Sequence, residues 1–108
     1  LLFIKLGALL VNEDEHQIYL EDQAIDLGPT EYKLLSYFMR SPNLALSRTQ
    51  LLDNVWGGDV YIDERTVDVH IRRLRKTLEE QAPSEIDTSG YIETIRGIGY
   101  RFNVKKGG

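Results

Sequence analysis

One segment limits the fold of this chain more than any other. Residues 65–76 read Arg-Thr-Val-Asp-Val-His-Ile-Arg-Arg-Leu-Arg-Lys, and Val67, Ile71, Leu74 and then Leu78 recur at spacings of four, three and four. That period stacks the four along one side of an α-helix. At roughly 100° per residue, Arg65, Val69, Arg72, Arg73 and Lys76 fall on the opposite side. The segment must therefore lay an aliphatic stripe on a core and turn a cationic ridge to solvent. A row of guanidinium groups suits a DNA major groove, where phosphates line the walls and guanine presents O6 and N7 on the floor. Val69 sharpens this reading, because an apolar side chain among arginines gains nothing from water but can touch a thymine methyl. A basic helix face is also an ordinary solvated surface, so the rest of the chain has to decide.

The chain has 108 residues, which is one domain with room for a single core. No apolar run approaches the roughly 20 residues of a membrane span. The start, Leu-Leu-Phe-Ile-Lys-Leu, lacks the basic region and small-residue cleavage site of a signal peptide. With no initiator Met and a Gly107-Gly108 end, it reads as a piece of a longer protein. Cysteine is absent, which excludes disulfides and thiolate chemistry and fits a reducing cytosol, so a cytoplasmic location is expected. The net charge of −4 is unevenly spread. Residues 1–64 hold eleven acids against four bases, net −7, whereas residues 65–108 hold nine bases against six acids, net +3. Screening over about 8 Å makes the local patch, not the total, what a polyanion feels.

The first 27 residues read as four short strands, Phe3-Ile4-Lys5-Leu6, Ala8-Leu9-Leu10-Val11, Gln17-Ile18-Tyr19-Leu20 and Ala24-Ile25-Asp26-Leu27. The short polar turns between them predict an antiparallel meander, although Leu9-Leu10-Val11 also suits a buried helical turn. Pro29-Thr30 then starts a helix, with Thr30 the expected N-cap, Glu31 in the first turn and Leu34, Leu35, Phe38 and Met39 as its buried face. Ser41-Pro42 ends it. Ser47-Arg48-Thr49-Gln50 is a capping box, with Leu46 and Leu51 placed as a hydrophobic staple. This second helix buries Leu51, Leu52 and Val55 and stops at Trp56-Gly57-Gly58. A loop over 57–63 follows, and Asp63 is the expected N-cap of the basic helix. After a polar stretch over 79–89, Tyr91-Ile92-Glu93-Thr94-Ile95-Arg96 and Tyr100-Arg101-Phe102-Asn103-Val104 read as two strands joined through Gly97-Ile98-Gly99. Tyr100, Phe102 and Val104 alternate cleanly, while Ile92 and Ile95 have opposite parity and leave room for an irregularity. The expected architecture is α+β: a winged helix-turn-helix with an N-terminal four-stranded antiparallel sheet, three helices and a C-terminal β-hairpin wing. Its third helix would dock in the major groove while the hairpin reaches the backbone or minor groove.

Nothing marks an enzyme. His70 sits on the flank of the basic helix with no carboxylate or serine at helical spacing to form a triad, so a structural or phosphate-contacting role is favoured. His16, within Glu13-Asp14-Glu15-His16, lacks the ligand spacing of a metal site, and no metal or other cofactor is expected. Gly97-Ile98-Gly99 lacks the third glycine and following helix of a dinucleotide fingerprint. Trp56 either fills the junction after the second helix or lends its indole N–H to a phosphate. Tyr61 and Ile62, set among Asp59, Asp63 and Glu64, either pack onto the domain or meet a protein partner.

Five ordered motifs carry a resemblance along nearly the whole chain. They are Leu27-Gly28-Pro29-Thr30-Glu31-Tyr32-Lys33-Leu34-Leu35, Ser47-Arg48-Thr49-Gln50-Leu51-Leu52, Val55-Trp56-Gly57, the segment 65–76, and Arg96-Gly97-Ile98-Gly99-Tyr100-Arg101-Phe102. Together they resemble the C-terminal effector domain of OmpR/PhoB-type response regulators, nearest its phosphate-regulon members. The resemblance implies a two-component transcription regulator that binds direct-repeat DNA sites as a head-to-tail dimer and touches RNA polymerase sigma factor. It implies Arg73 and Val69 as base readers in the major groove and Arg96 as the minor-groove reader. Arg65, Thr66, His70, Arg72, Arg75, Thr94, Trp56 and Tyr100 would hold phosphates. Ile62, Asp63 and Glu64 would contact sigma factor. The receiver domain, with its phospho-acceptor Asp, is expected to lie outside this chain. No membrane or small-molecule substrate is expected. Two other readings keep the fold and change the partner: a winged-helix protein-interaction module, and a non-specific nucleic-acid binder.

Overall fold

The computed structural model describes residues 3–57 and 62–103. Four strands, β1 (Phe3–Leu6), β2 (Leu9–Asn12), β3 (Gln17–Leu20) and β4 (Gln23–Ile25), form an antiparallel sheet in chain order. Leu9, Val11, Ile18, Leu20 and Ile25 from this sheet are buried, so the second segment is a strand and not a helical turn. β4 stops at Ile25, short of the expected Leu27. The cause lies 55 residues away: the Gln81 side chain accepts from the Asp26 N–H at 2.7 Å and donates to the Asp26 carbonyl at 3.1 Å. One amide thus supplies the pair of bonds that a strand neighbour would give, and the chain is drawn off the sheet.

Helix α1 (Pro29–Arg40) has Gly28, not Thr30, at its N-cap, because Pro29 fits the first helical position, where no N–H is required. Helix α2 (Arg48–Val55) carries both bonds of the expected capping box, Gln50 N–H to Ser47 Oγ at 3.0 Å and Ser47 N–H to Gln50 Oε1 at 2.8 Å. Helix α3 (Arg65–Gln81) begins after Glu64, and the Asp63 carboxylate accepts the Arg65 N–H at 2.8 Å from one position further out than a formal N-cap. The helix runs through the polar residues Glu79 and Glu80 to Gln81, beyond the apolar period that marked it in sequence.

The expected wing hairpin gains a third strand that was not expected. β5 (Ala45–Ser47), β6 (Ile92–Ile95) and β7 (Gly99–Phe102) assemble in the order β5-β7-β6, so the wing is anchored to the strand that leads into α2. The β6–β7 ladder is regular, from Ile92 opposite Phe102 to Ile95 opposite Gly99. The odd parity of Ile95 marks no bulge, because that side chain lines a cleft beside α2 and not the core. Val104, which completed the expected alternation, lies outside the described residues. Gly99 lets β7 pass β5, since a Cβ there would lie 2.1 Å from the Leu46 carbonyl oxygen. A single core unites both sheets and all three helices, with Leu34, Leu35, Phe38, Leu51, Val67, Ile71, Leu74, Leu78, Tyr91 and Phe102 among its buried members.

Candidate nucleic-acid interface

Burying Val67, Ile71, Leu74 and Leu78 fixes the rotation of α3 about its axis. The opposite side then faces solvent: Arg65, Val69, Arg72, Arg73 and Lys76 are all exposed. Val69 is 43% exposed, unusual for an aliphatic residue in a helix with so complete a buried stripe. Among the described residues no carboxylate pairs with Arg72, Arg73 or Lys76. Arg65 is held at the first turn by its own loop, with a guanidinium nitrogen 3.1 Å from Asp63. The Arg65 backbone N–H and then its guanidinium hold the Asp63 carboxyl below the usual carboxylate range.

The wing places Arg96 at its turn, exposed, beside Gly97 at φ +80° and Ile98, which is 53% exposed. Between the wing and the start of α2 lies a cleft of about 350 Å³ whose lining includes Arg48, Thr94, Arg96 and Tyr100.

Several residues expected at a phosphate backbone are already engaged inside the domain. His70 Nδ1 meets the Glu31 carboxylate of α1, and its ring packs 5.4 Å from that of Trp56. Trp56, at the C-cap of α2, is partly buried against the core. Arg75 donates to the Ile92 carbonyl at 2.8 Å and to Thr94 Oγ1 at 3.0 Å, with its guanidinium 5.7 Å from the centroid of the Tyr100 ring. Tyr100 is only 8% exposed and donates its hydroxyl to Asp68 at 2.5 Å. Burial first, and then this bond to a carboxylate, raise the Tyr100 hydroxyl above the usual tyrosine value. Thr66 is partly buried in the first turn of α3. Arg65, Arg72, Arg75 and Thr94 are the exposed members of the phosphate set, with Arg65 held by Asp63 and Arg75 bonded to Thr94.

Of the residues expected at sigma factor, Asp63 and Glu64 are exposed and Ile62 is partly buried. Gly58, Asp59, Val60 and Tyr61 of the same loop lie outside the described residues, so the Tyr61 reading has no structural counterpart.

Two residues at the site were not anticipated. Arg48 at the start of α2 grips Asp68 of α3 through Nε at 3.1 Å and a terminal nitrogen at 3.0 Å. Asp68 is the one acid in the sequence between Arg65 and Leu78. That isolation was the available signal, since a lone carboxylate on a cationic helix needs a cation from elsewhere.

Comparison with known proteins agrees with this geometry. Residues 22–102 match the family described as "Transcriptional regulatory protein, C terminal". The phosphate regulon transcriptional regulatory protein PhoB of Pseudomonas aeruginosa is 48% identical over 102 residues, 94% of this chain and 42% of that protein. The chain thus spans about two fifths of that relative. The DNA-binding domain of response regulator AdeR, solved in complex with an intercistronic region, superposes with a TM-score of 0.76 at 30% identity, covering 93% of this chain and 97% of that one. The Klebsiella pneumoniae RstA DNA-binding domain, solved with the RstA box, superposes at 0.77 with 28% identity, covering 94% and 96%. These are regulators of transcription, not enzymes. The chain belongs to the C-terminal domains of transcriptional regulatory proteins, the winged-helix effector domains of OmpR/PhoB-type response regulators.

Proposed function

We propose that this domain binds double-stranded DNA sequence-specifically, as the effector of a cytoplasmic bacterial two-component regulator. The observation that carries the reading is the solvent face of α3, where Arg72, Arg73 and Lys76 have no carboxylate partner among the described residues and surround an exposed Val69. In the major groove Arg73 pairs with guanine and Val69 meets a thymine methyl, while Arg96 of the wing enters the minor groove. Arg65, Thr66, His70, Arg72, Arg75, Thr94, Trp56 and Tyr100 face the backbone, setting register and supplying most of the affinity. Two copies sit head-to-tail on a direct repeat, since one helix and one wing bury a modest surface and a second copy compensates. Ile62, Asp63 and Glu64, beside the basic helix, contact RNA polymerase sigma factor. The 42% coverage of the Pseudomonas PhoB supports a receiver on the remainder of a longer protein. The test is a fluorescence-anisotropy titration of the domain against a direct-repeat phosphate-box duplex and a scrambled duplex, each at two salt concentrations. Preference for the repeat that survives the higher salt is expected. Equal affinities that collapse together would reduce the site to a basic patch, and no binding at low salt would favour a protein partner.

A further inference from the structure

Asp68 is a carboxylate on the helix proposed to face a polyanion, and nothing in the DNA reading uses it. Its surroundings explain its presence. One oxygen accepts from Arg48 Nε and from the Tyr100 hydroxyl, and the other meets a terminal nitrogen of Arg48. Arg48 opens α2 and Tyr100 lies in the middle strand of the wing sheet, so this carboxylate ties both to α3. Two turns further on, Arg75 makes a second tie, to the Ile92 carbonyl and Thr94 Oγ1 of β6, and its guanidinium lies beside the Tyr100 ring. Charge-assisted bonds to a partly buried carboxylate, made in bidentate geometry, hold direction as well as distance. With ties at two points along the helix, the wing cannot pivot about either one.

We infer that Asp68 is the positioning residue that fixes the wing against the reading helix, so that Arg73 and Arg96 read their two grooves as one unit. The inference rests on the DNA-binding reading above and adds a residue that does not itself touch DNA. Preorganised readers bind together more favourably than two that must be aligned on contact. Losing the clamp therefore removes discrimination while leaving the cations in place. The sign of the effect on unrelated DNA is distinctive: Asp68→Asn deletes a negative charge near phosphates, so affinity for scrambled duplex should hold or rise as specificity falls.

The experiment uses the 108-residue chain with target and scrambled duplexes, on the parent, Asp68→Asn and Tyr100→Phe, with thermal melts to establish that each folds. The same titrations are repeated with Arg73→Ala, Arg96→Ala and their combination in the parent and Asp68→Asn backgrounds. Asp68→Asn is expected to lower the ratio of target to scrambled affinity about fivefold, and the coupling between the two arginines should drop from several-fold to near unity. Tyr100→Phe, which removes one hydroxyl and little volume, should lower the ratio in the same direction. An Asp68→Asn variant whose two affinities rise alike, or whose arginine coupling matches the parent, would overturn the inference. A Tyr100→Phe variant whose ratio of target to scrambled affinity matches the parent would do the same, whatever equal loss the two duplexes share, since that leaves Tyr100 only the backbone contact proposed above. A parent that fails to discriminate at all would remove the DNA reading and this inference with it. A parent that discriminates alongside an unchanged Asp68→Asn removes only the inference.

Discussion

Arg72 and Arg73 are sequence neighbours, both exposed and both without a carboxylate partner among the described residues, yet they should fail differently when removed. A guanidinium that pairs bidentately with guanine contributes on the order of 1–3 kcal/mol of discrimination, whereas one on a phosphate strengthens every sequence alike. Arg73→Ala should therefore flatten the target-to-scrambled ratio by that amount. Arg72→Ala should leave the ratio and make binding less salt-dependent by about one charge, as read from titrations across a salt series. Neither should move the melting temperature appreciably, because exposed side chains outside any network contribute within about 0.5 kcal/mol. These positions were legible in the sequence because helical period alone assigns a residue to the core side or the solvent side. Asp68, Glu31 and Gln81 were not legible. Their partners stand 20 and 32, 39, and 55 residues away, and no local pattern carries that distance.

Elements whose signal is local came through with boundaries nearly intact. The capping box at Ser47 carries its own proof, since both of its bonds span three residues. β5 behaves differently. Ala45, Leu46 and Ser47 are too few to show alternation, and they form a strand only because β7 offers them a partner. The need for that close pass is written in Gly99, which in sequence looks like an ordinary turn glycine. Gly99→Ala would drive a methyl into the Leu46 carbonyl, a backbone group that cannot rotate aside. A cost of about 3 kcal/mol is expected, as in overpacked cores, and urea unfolding followed by circular dichroism would measure it. The substitution should also loosen the wing, so binding to the target duplex should weaken more than binding to scrambled DNA. A variant as stable as the parent would mean that β5 and β7 separate at little cost.

The whole molecule divides by charge and is joined by tyrosines. The acidic first half builds the four-stranded sheet and first two helices, the basic remainder presents α3 and the wing, and Tyr91 and Tyr100 sit where the wing sheet closes onto the core. Desolvation is the largest influence on both hydroxyls, and it raises each above the ordinary value of 10.0. The neutral phenol is thus favoured by folding. Its contribution is fully present below pH 10, the unfolded value, and is lost as pH rises through the higher folded values. For Tyr100 the loss has a structural side, since a phenolate cannot donate to Asp68 and would repel it. Alkali should accordingly free the wing before the four-stranded sheet unfolds. Urea midpoints measured at pH 8 and near pH 11 should fall with increasing pH, and the fall should be smaller in Tyr100→Phe, which has no proton to lose at that site. Amide hydrogen exchange at the upper pH should show protection dropping in β6 and β7 ahead of β2 and β3. If Tyr100→Phe lost stability between the two pH values as steeply as the parent, the alkaline weakness would lie with Tyr91 and with Tyr19 and Tyr32, whose hydroxyls are also raised, and not with the clamp that joins wing to helix.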